Sequence, residues 1–296
     1  MRLKAKEITW PTENLIFNKD KRHSKIEHRI ILAIFFLASF CAYAKDDNYF
    51  EVGLQSYYNH YTEQASLPLK VQETGVLIGA SLGYYYLPKQ WPVFQYVSVE
   101  IAYFPTCYDG ATLLGDSVKD YTRNVFFLFE EDIGYTFFLP PLDKISVTPY
   151  VGIAYRYWNR SLGGPSPFSE VYSWLNIPLG LRTSMIFQYW IIEIDFSARA
   201  MLAGEIDIHL SEADPLYENI ETNLGNRFSY KLKAQFHYKM NRKMTFSLIP
   251  WFEYYAIGAS DYFSIYYNHV RIATGYEPSS QTFRFGFDVR FRFMFY

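Results

Sequence analysis

The last stretch of the chain alternates without a break. Phe283, Phe285, Phe287, Val289, Phe291, Phe293 and Phe295 fall on one phase, and Thr282, Arg284, Gly286, Asp288, Arg290 and Arg292 on the other. A strand sends successive side chains to opposite faces, so this segment is apolar on one side and charged on the other. Seven bulky apolar residues in strict alternation suit a wall facing lipid better than one facing a soluble core.

The pattern recurs along the chain. Phe228, Tyr230, Leu232, Ala234, Phe236 and Tyr238 oppose Lys231, Lys233, Gln235, His237 and Lys239. Trp190, Ile192, Ile194, Phe196, Ala198, Ala200 and Leu202 oppose Glu193, Asp195, Ser197 and Arg199. Residues 145–157 and 175–182 repeat it, with Arg156 and Arg182 on the polar phase. Less regular strands are predicted near 48–59, 74–87, 93–104 and 243–257. In 122–138 the consecutive Glu130, Glu131 and Asp132 interrupt the phase, and a β-bulge is expected there. This gives about ten strands. Short turns near 88–92, 139–144, 188–189 and 241–242 alternate with longer loops near 60–73, 105–121, 158–171, 210–226 and 258–281. The expected fold is therefore all-β: a transmembrane antiparallel up-and-down β-barrel with tight periplasmic turns and both barrel termini in the periplasm.

The N-terminus supports export. Arg29 precedes the apolar run Ile30–Phe40, and Ala42-Tyr43-Ala44 follows. This is the layout of a cleaved signal, so residues 1–44 are read as an N-terminal extension and signal peptide, and 45–296 as the barrel. The run is about half of the ~20 residues a membrane helix needs. Removing residues 1–44 takes away eight Lys/Arg and four Asp/Glu and leaves a net charge near −6. No nucleic-acid footprint remains. Cys107 alone survives cleavage, so no internal disulfide can form. Aromatic residues make up 20% of the chain, as expected of girdles at two membrane interfaces. The expected location is a Gram-negative outer membrane. The expected partners are its lipid or lipopolysaccharide and the barrel-assembly machinery, which the aromatic C-terminal strand would engage. Nothing in the sequence fixes an oligomeric state.

The strand from Trp190 continues its alternation toward Leu210, further than the ~9–11 residues that cross a membrane. The barrel is thus expected to rise beyond the outer face of the membrane, with Glu205, Asp207 and His209 in the inward phase. Ten strands, projecting walls, the stretch Asn176-Ile177-Pro178-Leu179-Gly180-Leu181 and the pair Asp207-x-His209 resemble the omptin family of outer-membrane endopeptidases. That resemblance implies a catalytic Asp207–His209 dyad activating water at the extracellular rim. The family's second acidic pair, Asp-x-Asp, is not found between Tyr108 and Asp120, where Asp116 and Asp120 are the candidate substitutes. Composition and layout also resemble the Protochlamydia outer membrane protein (Pom) family, which implies a porin-like role.

The inward phase collects Glu100, Arg156, Arg182, Glu193, Asp195, Arg199, Lys231, Lys233, Lys239, Arg284, Asp288, Arg290 and Arg292. Opposite charges on neighbouring strands could line a lumen or pair across it. Barrels of eight strands are filled by side chains and wide channels need 16–18. A non-proteolytic surface protein or narrow pore is the expected function, with omptin-type proteolysis as the alternative. No phosphate loop, zinc spacing or serine-hydrolase motif is present, so no cofactor or metal is expected.

Overall fold

A computed structural model describes residues 48–64, 71–88, 92–111, 117–140, 144–164 and 167–295. The signal segment and Asp116 lie outside the described residues.

The strands are β1 (Asn48–Glu63), β2 (Gln72–Tyr86), β3 (Val93–Ala111), β4 (Ser117–Tyr135), β5 (Phe137–Phe138), β6 (Ile145–Leu162), β7 (Phe168–Ile186), β8 (Trp190–Ile208), β9 (Ile220–Asn223), β10 (Phe228–Lys239), β11 (Met244–Ile257), β12 (Phe263–Tyr267), β13 (Val270–Gly275) and β14 (Ser280–Phe295). β14 pairs with both β1 and β11, and β10 with both β11 and β8, so the sheet returns on itself. Ten long antiparallel strands close an up-and-down barrel, which leaves the wall no free edge. β12 and β13 form a separate hairpin above it. Asn268 (φ 48°) and His269 (φ 62°) occupy its two-residue turn, the positive-φ pair that a type I′ turn requires.

The two faces separate as the alternation requires. Outward residues such as Leu54, Phe196, Leu232, Phe285 and Phe287 are exposed, while Arg199, Lys231, Arg284, Asp288 and Arg290 are buried in the lumen. A wall with its large apolar residues outside and its charges inside is stable in lipid and not in water.

Four expectations need correction. The outer loops are shorter than the sequence indicated, because β3 and β4 stay paired up to Ala111↔Ser117 and β6 reaches Leu162. Toward this end the outward phase turns polar, with Asp109, Lys119 and Arg123, so the alternation fades although the strand continues. No bulge interrupts β4: its register runs continuously through Glu130, Glu131 and Asp132 against both β3 and β6. Glu131 takes the outward phase and accepts a hydrogen bond from Gln95 Nε2 at 2.7 Å.

A bulge occurs instead in β8. Asn176 pairs with Met201 and Leu175 with Ala203, so Leu202 is the extra residue. Below it Asp195, Ser197, Arg199 and Met201 point inward; above it Ile206 and Ile208 do. One added residue flips every following side chain to the opposite face. Glu205, Asp207 and His209 therefore lie on the outward phase, not the inward one. β8 also ends at Ile208, followed by a short 3₁₀ turn (Leu210–Glu212).

One close approach requires glycine. Gly225 and Gly258 bond through their backbones at 2.7 Å where the β9–β10 segment meets the top of β11. A Cβ on either would sit 2.7–2.8 Å from backbone atoms of the opposite strand segment.

Candidate functional site

The lumen is the site that the fold assembles, and it is filled in layers. Toward the end of the barrel that carries the termini and the short turns, Glu51 accepts from Arg290 Nη1 (2.6 Å), Tyr96 Oη (2.6 Å) and Arg292 Nε (3.0 Å). His237 stands beside Ser247 (2.8 Å) and Glu193 (3.4 Å). Next, Asp195 accepts from Arg182 Nε (3.0 Å) and Nη2 (2.9 Å) and from Tyr150 Oη (2.6 Å). Asp288 accepts from Trp251 Nε1 (2.8 Å) and Arg290 Nη2 (2.5 Å).

At mid-lumen Arg199 donates to both oxygens of Glu130 at 2.8 Å. Glu253 accepts two hydrogen bonds from Arg156, with Arg199 (3.9 Å) and Arg284 (4.0 Å) close by. Lys231 lies 3.9 Å from Glu100. Each of these arginines faces a carboxylate on another strand: Arg182–Asp195 and Arg292–Glu51 join adjacent strands, whereas Arg199–Glu130 and Arg156–Glu253 cross the barrel interior. Charges taken out of water need such partners, because an unpaired buried ion costs several kcal/mol. A cavity of about 30 Å³ remains between Glu100, Arg156, Lys231, Trp251, Glu253 and Arg284. At ~10–15 Å³ per water, it holds about two waters. A second cavity of about 10 Å³ lies beside Glu51, Lys233 and Arg290.

Aromatic rings close the column above. Arg284 lies 4.0 Å from the Phe126 ring centroid and 4.7 Å from that of Tyr255. Trp158 stacks between Phe126 (5.1 Å) and Tyr172 (4.8 Å), with Tyr61 edge-on at 5.3 Å. Trp158 and Tyr61 are fully buried. At the outer rim, Arg160 donates to Glu73 (3.0 Å), Glu170 (2.9 Å) and Glu63 (3.4 Å).

The structure brings nearly all the predicted lumen residues together. Glu193, Asp195, Arg199, Lys231, Lys233, Arg284, Asp288, Arg290 and Arg292 all face inward. Sequence reasoning missed Glu51, Glu130 and Glu253, which carry much of the negative charge. Their signal was present: each occupies the inward phase of an irregular strand, and period-two counting from Tyr49, Leu128 or Trp251 finds it. The rim cluster around Arg160 was missed because it joins side chains from four strands and a loop.

Asp207 and His209 do meet, with Oδ2 3.1 Å from Nε2. Both are about one-third exposed on the outer side of the wall. His209 Nδ1 is 3.1 Å from Ser169 Oγ and 3.3 Å from Glu212, and Ser169 donates to Glu212 at 2.9 Å. Asp120 accepts from the Tyr121 backbone N–H (2.7 Å), and two strands separate its strand, β4, from β8. No hydrogen bond or ion pair among the described residues joins Asp120 to the pair.

No family model and no curated protein matches the chain. Solved structures do. The chain is similar to the outer membrane protein OprG from Pseudomonas aeruginosa, at 10% identity and a TM-score of 0.40, covering 85% of this chain and 97% of that one. It is similar to the translocator domain of the autotransporter NalP from Neisseria meningitidis, at 7% identity and a TM-score of 0.38, covering 90% and 95%. For the Pseudomonas putida toluene transporter TodX the values are 9% and 0.33, covering 85% and 90%. The closure, the strand order and the reversed polarity of the wall are the chain's own evidence. It is an outer-membrane-type β-barrel.

Proposed function

We propose that this chain is a non-proteolytic surface protein of the outer membrane whose barrel is sealed by its own side chains. Its outward wall meets outer-membrane lipid or lipopolysaccharide, and the short turns and both barrel termini lie on the periplasmic side. The observation that carries this reading is the mid-lumen layer, where Arg199 pairs with Glu130 and Arg156 with Glu253, and the cavity beside the second pair holds about two waters. A hydrated solute cannot pass that layer unless those pairs part. A narrow, porin-like pathway of the Pom kind would need them to do so. Liposome swelling tests this: vesicles carrying the refolded barrel should swell no faster in small sugars than protein-free vesicles. Swelling that depends on sugar size would instead establish a pore.

Omptin-type proteolysis is the second reading, supported by the 3.1 Å contact between Asp207 and His209. The outward phase of both residues and the separation of Asp120 from them by two strands count against it. A dibasic fluorogenic peptide should remain intact with the native chain. Cleavage abolished by Asp207→Ala and by His209→Ala would establish the peptidase.

A further inference from the structure

Tyr172, Glu170 and Glu277 meet at the outer rim in a contact that calls for an extra proton. Tyr172 Oη is 2.8 Å from Glu277 Oε1 and 3.1 Å from Glu170 Oε2. A phenol carries one hydrogen, so it donates to one carboxylate only. With both carboxylates ionised, the second contact would set lone pair against lone pair. The arrangement is satisfied when one of the two carboxyls is protonated and donates back to the phenol oxygen.

Glu277 is also the member carried by an extracellular excursion. It lies between β13 and β14, and its backbone is tied to the other end of the same excursion: Ser260 N donates to the Glu277 carbonyl (2.9 Å), and Glu277 N donates to Ser260 Oγ (2.8 Å). Glu170 and Tyr172 belong to the wall strand β7. The shared contact therefore joins a loop to the barrel. We propose that this shared proton latches the extracellular segment 258–279 onto the barrel rim, so that the latch closes as pH falls and releases as pH rises.

The surrounding charges favour this. The groups acting on Glu277 are Glu63 and Tyr61 from β1, Arg160 from β6, and Glu170 and Tyr172 from β7, while Glu73 from β2 and Tyr108 from β3 flank Arg160 on its other sides. Arg160 is the cation of this cluster and already serves Glu63, Glu73 and Glu170. Glu277 takes its hydrogen bond from Tyr172 instead. Burial first, and then the charges of Glu63 and Glu170, hold the Glu277 carboxyl well above the usual carboxylate range, against the opposing pull of Tyr172 and Arg160. A raised value means that the docked state binds the proton more tightly than the free segment does. The contribution to docking is thus complete below the ordinary carboxyl value of 4.5 and is lost as pH climbs through the docked value. Each unit of elevation multiplies the docking constant by about ten. The inference is independent of whether the lumen conducts.

Hydrogen exchange of the full chain, refolded in detergent micelles and read by mass spectrometry across about pH 5 to 9, tests the latch. After correction for intrinsic exchange, amides of 258–279 should lose protection about tenfold or more as pH rises, while the strands inside the membrane keep theirs. Glu277→Gln supplies a neutral amide that donates to Tyr172 at every pH, so its profile should be flat and protected. Tyr172→Phe should leave the segment exchanging fast throughout. A flat profile for the native chain overturns the proposal without any variant. So does a native slope that persists in Glu277→Gln, or a slope shared equally by the barrel strands.

Discussion

Arg199 donates from one nitrogen to both carboxylate oxygens of Glu130, at 2.8 Å each, across 69 positions of sequence and the width of the lumen. Both side chains are almost wholly buried. Removing one partner strands the other's charge, which typically costs about 3–5 kcal/mol, whereas replacing both with apolar residues of similar volume is close to neutral. Glu130→Ala should therefore lower barrel stability by about 3–5 kcal/mol in urea titrations, and Arg199→Met with Glu130→Leu by much less. A loss below about 1 kcal/mol for Glu130→Ala would show that this pair does not brace the wall.

The bulge at Leu202 predicts effects of very different size for neighbours in sequence. Ile208 is packed in the lumen, while Asp207 and His209 form a pair about one-third exposed outside. Asp207→Ala and His209→Ala should change stability by no more than about 1 kcal/mol. Ile208→Asp buries an unpaired carboxylate and should cost several times as much. Equal effects at 207 and 208, measured in the same urea titration, would contradict the flipped phase.

The pattern of the sequence carried the fold and most of the lumen, because alternation is the direct imprint of a wall with lipid on one side and charge on the other. Lys231 and Arg290 were legible for that reason. His209 was placed on the wrong face because a bulge leaves no mark in composition: Ile206-Asp207-Ile208-His209 alternates equally well in either phase, and Leu202 looks like any other apolar wall residue. The Arg160 cluster escaped for a different reason. Its partners Glu63, Glu73 and Glu170 are spread over three strands, and only the barrel's closure brings them together. Glu131 shows the limit from the other side: a charged residue in an acidic run keeps strict register by bonding Gln95 on the outer face.

Gly225 and Gly258 fix how β9 and β10 join the top of β11. Alanine at either position would drive a methyl group to within 2.7–2.8 Å of the facing backbone. Gly258→Ala should destabilise the outer half by about 1–3 kcal/mol, seen as faster exchange at Leu224 and Ile257 with the lower strands unchanged. Native-like protection in that variant would mean that the approach is looser than drawn.

The mid-lumen seal should open when its anchor is removed. Glu253 holds Arg156 and lies beside Arg199 and Arg284, so Glu253→Ala takes away the charge around which three guanidiniums gather. Their mutual repulsion should widen the layer and admit anions. A refolded Glu253→Ala barrel should pass chloride in an efflux assay while the native barrel does not. Equal and negligible efflux from both would show that the aromatic layer around Trp158 seals the lumen without the ion pairs.

Single-channel recording in a planar bilayer tests the closed lumen most directly. Native protein, inserted and shown to be folded by its heat-modifiable electrophoretic mobility, should give no steady open level above the bare membrane at either polarity. A stable, reproducible conductance step from the native chain would contradict a barrel sealed by its own side chains.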